Sequence, residues 1–209
     1  QSEYPAFLAS YDRPRNTGLR LNPLKTDTPP DLSRFSLMPV PWEPMGFSYA
    51  AGRPGLSVYH ECGLYYLQEP SAMAPAALLD PQPGEKILDL CAAPGGKSTQ
   101  IAGRMQGRGL LVCNEIHPKR AQILSSNIER LGIANALVLN ETPQRLEKRF
   151  ARYFDRILVD APCSGEGMMR KYNEEVLENW SCENVKMCAS RQAEILDNAA
   201  KCVKAGGIL

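Results

Sequence analysis

The chain has 209 residues, enough for one sizeable domain or two small ones. Its 24 basic and 23 acidic residues give a formal net charge of +1, so any nucleic-acid surface has to be local. No apolar run approaches the length of a membrane span, and residues 1–11 do not resemble a signal peptide, which argues against membrane insertion and secretion. Seven cysteines without a Cys-x-x-Cys pair predict a reducing, cytoplasmic location. We expect most of these thiols to be small core residues, and we expect no disulfide framework and no metal.

Residues 1–83 are rich in proline and irregular in pattern, with a few short candidate strands. Basic and apolar residues alternate over Arg15–Lys25, whereas residues 27–30 and Met38–Pro44 are typical of loops. Ser71 is a candidate N-cap for the short helix that follows it. We interpret residues 1–83 as a small α+β module and a linker.

From residue 84 to residue 209 the pattern becomes regular. Candidate strands are Ile87–Leu90, Leu110–Asn114, Ala136–Asn140 and Arg156–Asp160, and candidate helices are Lys97–Met105, Pro118–Leu131 and Arg191–Val203. This alternation predicts an α/β domain with a doubly wound, mostly parallel sheet. Ala205–Leu209 is typical of a glycine turn that ends a helix and leads into a new strand, so we expect the sheet to continue beyond Leu209 and the chain to be truncated at its carboxyl end.

A glycine turn follows the first candidate strand of this domain. Gly95 and Gly96 let the backbone approach a ligand closely, and the N–H groups of the following helix point toward it. Gly96-Lys97-Ser98 matches the end of a phosphate-binding P-loop, but the leading glycine of that motif is replaced by Cys91. A P-loop-like NTPase is therefore a weaker alternative.

Two acidic residues at strand ends bear on which ligand the turn binds. Glu115 ends the second strand about 20 residues after the turn, where a carboxylate binds ribose hydroxyls in dinucleotide-binding folds. The other interpretation of Glu115 is a solvated acid at a strand end. Glu141 is a weaker candidate for contact with an adenine amino group. These features favour S-adenosylmethionine over ATP, and the missing G-x-G-x-x-G spacing argues against NAD.

Asp160-Ala161-Pro162-Cys163 follows the fourth strand, at the sheet edge where α/β proteins place reacting groups. A thiol here predicts covalent chemistry, because carbon 5 of a pyrimidine accepts a methyl group only after a thiolate has added to carbon 6. From the residues alone, Cys163 is the candidate nucleophile and Asp160 a hydrogen-bonding partner of the base. The alternative for Cys163 is a buried small residue.

The two motifs, Asp89–Lys97 and Asp160–Gly167, together resemble those of the Nol/Nop/Sun family of RNA 5-methylcytosine methyltransferases. Leu19–Lys25 and Gly63–Ser71 are similar to the amino-terminal segments of that family, so the resemblance covers the whole chain. It implies a Rossmann-like class I methyltransferase fold, S-adenosyl-L-methionine as cofactor, and RNA as partner. The bacterial members that modify small-subunit ribosomal RNA are the most similar.

The resemblance also implies roles for individual residues. Cofactor or base contacts are expected from Cys91, Ala92, Ala93, Pro94, Gly95, Gly96, Lys97, Glu115 and Asp160. In this family the attacking thiol belongs to a Thr-Cys motif on the next strand, which would lie beyond Leu209. Cys163 is then expected to assist release of the methylated base, with Asp160 and Lys97 as the other catalytic residues. The segment alone is expected to bind the cofactor poorly or fold incompletely, and to be inactive.

The first third resembles the small RNA-binding module of the same family. The residues expected to contact phosphates and bases, or else to pack within the module, are Arg13, Arg15, Arg20, Lys25, Tyr65 and Tyr66. The target base has to be single-stranded or flipped out of its stack. The predicted function is methylation of cytosine C5 in RNA, and the alternative from another class is a non-catalytic module that binds RNA or ribosomes.

Overall fold

The computed structural model describes residues 3–12, 15–26, 30–168, 178 and 180–209. Its regular elements are grouped around two sheets. The first group contains α1 (Tyr4–Ser10), β1 (Gly18–Leu21), β2 (Leu37–Val40), β3 (Glu43–Tyr49), α2 (Val58–Glu61) and β4 (Tyr65–Leu67), and α3 (Pro70–Leu79) leads to the second. The second contains β5 (Lys86–Asp89), α4 (Gly96–Met105), β6 (Leu110–Asn114), α5 (Pro118–Arg130), β7 (Ala136–Leu139), α6 (Pro143–Phe150), β8 (Phe154–Leu158), α7 (Cys182–Cys202) and β9 (Val203–Ile208).

The first sheet is antiparallel, with the strand order β2–β3–β1–β4. Leu19 in the central strand β1 lies opposite Phe47 on one side and Leu67 on the other. Its buried face packs around the fully buried Leu19 and Tyr65, together with Phe35. Residues 15–67 therefore have a small core of their own.

The second sheet is parallel, with the strand order β7–β6–β5–β8–β9. Side chains along each strand alternate between its two faces. Ile87 and Leu111 pack against α4 and α5, whereas Leu88, Val112 and Ile157 pack against α6 and α7. Helices thus cover both faces, which confirms the predicted doubly wound, mostly parallel α/β fold. All four strands β5 to β8 end at the same edge.

Several element boundaries differ from the prediction. β8 ends at Leu158, so Asp160 lies in the loop after the strand rather than at its last position. α7 begins at Cys182, capped by the Ser181 hydroxyl, and passes directly into β9. The glycine turn expected within Ala205–Leu209 is therefore wrong, whereas the new strand expected in this segment is present and pairs with β8. Helix α6 was not predicted, since Leu146 is its only buried residue.

Two predictions for the first third are also corrected. Met38–Pro44, expected to be a loop, contributes to β2 and β3. Pro39 is tolerated because β2 is an edge strand, where a missing N–H breaks no inner ladder. Ser71 is the second residue of α3, and Glu69 takes the N-cap position.

The seven cysteines are all free thiols, and only Cys113, Cys188 and Cys202 are buried, so the expectation that most are core residues is wrong. No helix in the described ranges is long and apolar enough to cross a membrane. The boundary between residues 83 and 84 stays a prediction.

Candidate functional site

The glycine turn connects the end of β5 to the start of α4. Gly95 has φ 111°, and a Cβ on it would lie 3.1 Å from Cδ1 of Leu124. A Cβ on Gly96 would lie 3.2 Å from the ring of Tyr66, which belongs to β4 of the first sheet. Both positions therefore favour glycine, the first for its backbone conformation and the second for close packing.

The carbonyl groups of this turn are held by side chains from α5. Arg120 donates to the carbonyl oxygen of Ala93 at 2.9 Å. Asn127 donates through Nδ2 to the carbonyl oxygen of Pro94 at 2.8 Å. Two carbonyl groups of the turn are therefore bonded to α5.

A buried carboxylate lies directly behind the turn. Asp89 at the end of β5 is 1% exposed, and its Oδ2 accepts a hydrogen bond from the Ser98 hydroxyl at 2.7 Å. Its Oδ1 is buried and has no hydrogen-bond partner among the described residues. Burial raises the pKa of Asp89 to about 6, although the bond from Ser98 acts in the opposite direction.

A cavity that we call the strand-edge cavity has a volume of about 450 Å³. It opens at the carboxyl ends of the parallel strands, where α/β sheets bind ligands. Its walls come from the glycine turn, the end of β6, the start of α6, the loop after β8, and α7. The polar side chains that line it include Asn114, Glu115, Arg120, Thr142, Arg191 and Glu194.

Glu115 is the buried acid of the strand-edge cavity, at 3% exposure. Its Oε1 accepts the backbone N–H of His117 at 3.0 Å, and its Oε2 lies 3.3 Å from a guanidinium nitrogen of Arg120. Arg120 thus contacts both the glycine turn and this carboxylate. A carboxylate has about four acceptor positions, so two remain for hydroxyl groups of a ligand.

Two asparagines fix the strand ends around Glu115. Asn114 donates through Nδ2 to the carbonyl oxygens of Leu90 and Glu141, and its Oδ1 accepts the N–H of Glu141. Asn140 donates to the carbonyl oxygens of Glu115 and Ile116, at 2.6 and 2.9 Å. These bonds tie the ends of β5, β6 and β7 together at the cavity rim.

The second cavity, of about 460 Å³, lies between the two sheets, and we call it the inter-sheet cavity. Arg15, Tyr49 and Tyr66 line it from the first sheet and its approach. Lys97 and Asp160 line it from the second, where Nζ of Lys97 lies 2.7 Å from Oδ2 of Asp160. The cavity therefore offers aromatic rings, a cation and a carboxylate together.

The two cavities share Cys91, Ala93 and Asp160 in their linings. Burial, with the nearby carboxylates adding to it, raises the pKa of the Cys91 thiol to about 12, so this cysteine is a neutral thiol at physiological pH. Asp160 is the charged group of the shared boundary, and its side chain is 58% exposed. A group bound in one cavity can thus face a group bound in the other across these residues.

The structure divides the residues predicted for the cofactor between the two cavities. Glu115 lines only the strand-edge cavity, whereas Ala92, Pro94, Gly96 and Lys97 line only the inter-sheet cavity. Three predicted residues line neither cavity as described: Gly95, Glu141 and Cys163.

Glu141 and Cys163 lie beside the strand-edge cavity rather than in it. The carboxylate of Glu141 pairs with Arg145 one turn along α6, at 2.9 Å. Cys163 is exposed, and its neighbour Pro162 lines the cavity and accepts a hydrogen bond from Gln192 at 2.9 Å. The roles predicted for both residues stay predictions.

Sequence reasoning missed several residues that line the strand-edge cavity. Arg120, Thr142 and Arg191 are examples. Thr142 has a recognisable signal, since a threonine before a proline predicts a helix cap, and its hydroxyl does accept the N–H of Arg145. Arg120 and Arg191 lie on helix surfaces and have no local signal.

The residues predicted to contact RNA occupy different environments. Arg20 and Tyr65 are buried, so neither is available to RNA, and both follow the packing alternative. Lys25 donates to the carbonyl oxygens of Cys62 and Arg130. Arg15 and Tyr66 line the inter-sheet cavity, and Arg13 lies outside the described residues.

Comparison with known proteins gives two family matches that together cover nearly the whole chain. Residues 76–209 match the family described as 16S rRNA methyltransferase RsmB/F. Residues 1–70 match the N-terminal domain of 16S rRNA methyltransferase RsmF.

Individual relatives are consistent with these matches. The chain is 38% identical over 214 residues to the ribosomal RNA small subunit methyltransferase F of Vibrio vulnificus strain YJ016, which covers 97% of this chain and 45% of the relative. The protein of the same name from Escherichia coli O1:K1 is 38% identical over 215 residues, with the same coverage of 97% and 45%. The chain thus spans about half the length of these curated relatives. A methyltransferase homolog protein from Pyrococcus horikoshii, 29% identical, superposes with a TM-score of 0.81 over 96% of this chain and 65% of its own.

Proposed function

The chain belongs to the RsmB/F family of 16S rRNA methyltransferases, and from this premise we propose that it supplies the cofactor and base sites of an S-adenosylmethionine-dependent RNA cytosine-5 methyltransferase. The family membership confirms the resemblance that its two motifs carry. The proposed substrate is small-subunit ribosomal RNA, free or in the small ribosomal subunit, and the proposed location is the cytoplasm. The observation that carries the proposal is the pair of cavities that meet at Cys91, Ala93 and Asp160.

The strand-edge cavity fits S-adenosylmethionine in size and in chemistry. Its 450 Å³ falls within the usual range for a small-molecule site. The two unused acceptor positions of Glu115 match the two hydroxyls of a ribose, and the fixed strand ends hold that carboxylate in place. When bound, S-adenosylmethionine supplies an electrophilic methyl group on a sulfonium.

The inter-sheet cavity fits a pyrimidine base flipped out of RNA. Tyr49 and Tyr66 offer rings for stacking, and Arg15 offers a positive charge for the adjoining phosphate. Asp160 is placed to accept a hydrogen bond from the exocyclic amine of cytosine, and Lys97 orients its carboxylate. An amine donor distinguishes cytosine from uracil, which presents an acceptor at that position.

In the proposed chemistry the attacking thiolate comes from outside the described residues, as the resemblance to the family implies, and not from the exposed Cys163. That thiolate would add to carbon 6 of cytosine, and carbon 5 would use the electron pair of the resulting enamine to bond the methyl carbon. The bond from that carbon to the sulfonium sulfur would break, and S-adenosylhomocysteine would leave. Loss of the proton from carbon 5 and departure of the thiolate from carbon 6 restore the aromatic base. Cys91 does not fit the attacking role because burial keeps it protonated. Cys163 is proposed to assist the release step.

A binding experiment tests the cofactor assignment. Isothermal titration with S-adenosylhomocysteine of the chain, continued after Leu209 by the corresponding portion of the Vibrio vulnificus relative, is expected to show one site. Titration of the same protein with Mg·ATP is expected to show none. Binding of Mg·ATP in place of the nucleoside would favour the NTPase alternative and overturn the proposal.

A product analysis tests the base assignment. The chain, continued after Leu209 by the corresponding portion of the Vibrio vulnificus relative, is incubated with 16S ribosomal RNA or small subunits and methyl-labelled S-adenosylmethionine. The RNA is then digested to nucleosides. Label in 5-methylcytidine is expected, and label confined to another nucleoside would contradict the assignment. Cofactor binding without any transfer would favour the non-catalytic alternative.

A further inference from the structure

One buried arginine of the first sheet is bonded to the backbone of the glycine turn. Arg20, on β1, is 2% exposed. Its guanidinium donates to the carbonyl oxygen of Gly96 at 3.1 Å and to Oγ1 of Thr99 at 2.7 Å. Its Nε donates to Oε1 of Gln68 at 2.9 Å. Arg20 thus bridges the first sheet and the first turn of α4.

A chain of buried polar side chains continues from Arg20 across the interface. Gln68 donates to Oε1 of Gln100 on α4 at 3.3 Å, and Gln100 donates in turn to the carboxylate of Glu43 on β3. Arg104, near the end of α4, donates to the same carboxylate at 2.9 Å. Both ends of α4 are therefore bonded to the first sheet, the amino end through Arg20 and the carboxyl end through Arg104.

The position of Arg20 is unfavourable for the stability of α4 itself. A cation is stabilised at the carboxyl end of a helix, not at the amino end, where the peptide dipoles already place positive charge. Burial also lowers the pKa of Arg20 to about 10, with the charge of Glu43 acting against that shift. These costs are offset by the charge of Glu43 and by the hydrogen bonds that Arg20 makes, and these bonds fix the peptide groups that follow the turn.

We propose that Arg20 is a positioning residue for the cofactor, so that the amino-terminal sheet forms part of the cofactor site. By holding the Gly96 carbonyl and the Thr99 hydroxyl, Arg20 fixes the start of α4 and through it the glycine turn, whose residues Cys91 and Ala93 line the strand-edge cavity. It also sets the position of Lys97, which reaches Asp160 at the boundary of both cavities. This inference rests on the proposed function, because it requires the cofactor to bind beside the glycine turn.

The test compares variants at the two ends of α4. Arg20→Lys keeps a charge but loses the planar fork, and Thr99→Val removes one acceptor without changing the size of the side chain. Arg104→Gln is the matched control, because it breaks a bond between the carboxyl end of α4 and the first sheet, far from the turn. The affinity for S-adenosylhomocysteine is measured by titration at a temperature where thermal melts show each variant to be folded. Amide hydrogen exchange is followed in peptides that cover residues 91–100 and 101–110.

Arg20→Lys is expected to weaken S-adenosylhomocysteine binding by about tenfold, Thr99→Val by a smaller factor, and Arg104→Gln by less than about twofold. Exchange is expected to rise in the 91–100 peptide for the first two variants only. Unchanged affinity in folded Arg20→Lys, or an equal loss in Arg104→Gln, would overturn the inference while leaving the proposed function intact. Failure of the extended chain without these substitutions to bind S-adenosylhomocysteine would overturn both.

Discussion

Replacing Glu115 with glutamine tests the cofactor site at the side chain that is best defined by its contacts. One carboxylate oxygen accepts the N–H of His117, and the other lies beside Arg120, which leaves about two acceptor positions for ribose hydroxyls. In Glu115→Gln the new amide nitrogen accepts nothing, and it has to face either the His117 N–H or the Arg120 guanidinium. The variant therefore loses at least one hydrogen bond to a charged acceptor.

A hydrogen bond to a charged group contributes about 1.5–3 kcal/mol, which predicts about 10- to 150-fold weaker binding of S-adenosylhomocysteine to Glu115→Gln. Isothermal titration measures this change, and circular dichroism checks that the fold is kept. Glu141→Gln is the matched control, because that carboxylate pairs with Arg145 on α6 and does not line the described cavity. A loss below about threefold in folded Glu115→Gln, or the same loss in both variants, would refute the reasoning.

Three further predictions follow from the turn and from the boundary between the cavities. Because the pKa of Asp89 is raised to about 6 from 3.8, the folded chain binds the extra proton between these values, so the contribution of Asp89 to stability falls as pH rises from about 4 to about 6. The change in the free energy of unfolding caused by Asp89→Asn, measured by urea unfolding, should therefore be about 3 kcal/mol more favourable at pH 8 than at pH 4. The same change at both pH values would contradict this. Gly95→Ala and Gly107→Ala both strain a backbone with positive φ, but of the two only the Cβ at position 95 would meet a neighbour. Gly95→Ala should therefore lower the free energy of unfolding by about 1–3 kcal/mol more than Gly107→Ala does. Equal losses in the two variants would rule out the steric contribution. Cys91→Val enlarges a side chain that lines both cavities and should weaken S-adenosylhomocysteine binding severalfold. Cys163→Ala should change this affinity by less than about twofold. A larger loss of affinity in Cys163→Ala than in Cys91→Val would move the cofactor site toward Cys163.

The parts of the fold that sequence predicts well are those set by local pattern. The run from Lys86 to Asp89 is buried on both faces of a parallel sheet, and such a strand is recognised by its composition. The glycine turn and the proline at the first position of α5 are likewise local signals. Helix α6 was missed because a single buried leucine gives almost no periodicity, although the threonine before it was a usable cap signal.

The first third was harder to predict because tertiary contacts override its local pattern. Pro39 reads as a loop residue, and only the edge position of β2 makes it compatible with a strand. Arg20 alternates with apolar neighbours as a solvated or RNA-facing residue would, yet it is buried. Its partners Gly96 and Thr99 lie more than 70 residues away along the chain, and no local pattern announces such a pairing.

The division of the predicted site into two cavities follows from where β8 ends. If Asp160 had been the last residue of the strand, its side chain would have been restricted to one face of the sheet. Because the strand ends at Leu158, Asp160 belongs to the loop and lines both cavities. Its partner Lys97 comes from the first turn of α4, which Arg20 holds from the other sheet. In the proposed enzyme, Asp160 faces the base and contacts Lys97, and the helix start that carries Lys97 is bonded to Arg20 of the first sheet. A change at Arg20 should therefore affect the binding of both the base and the cofactor.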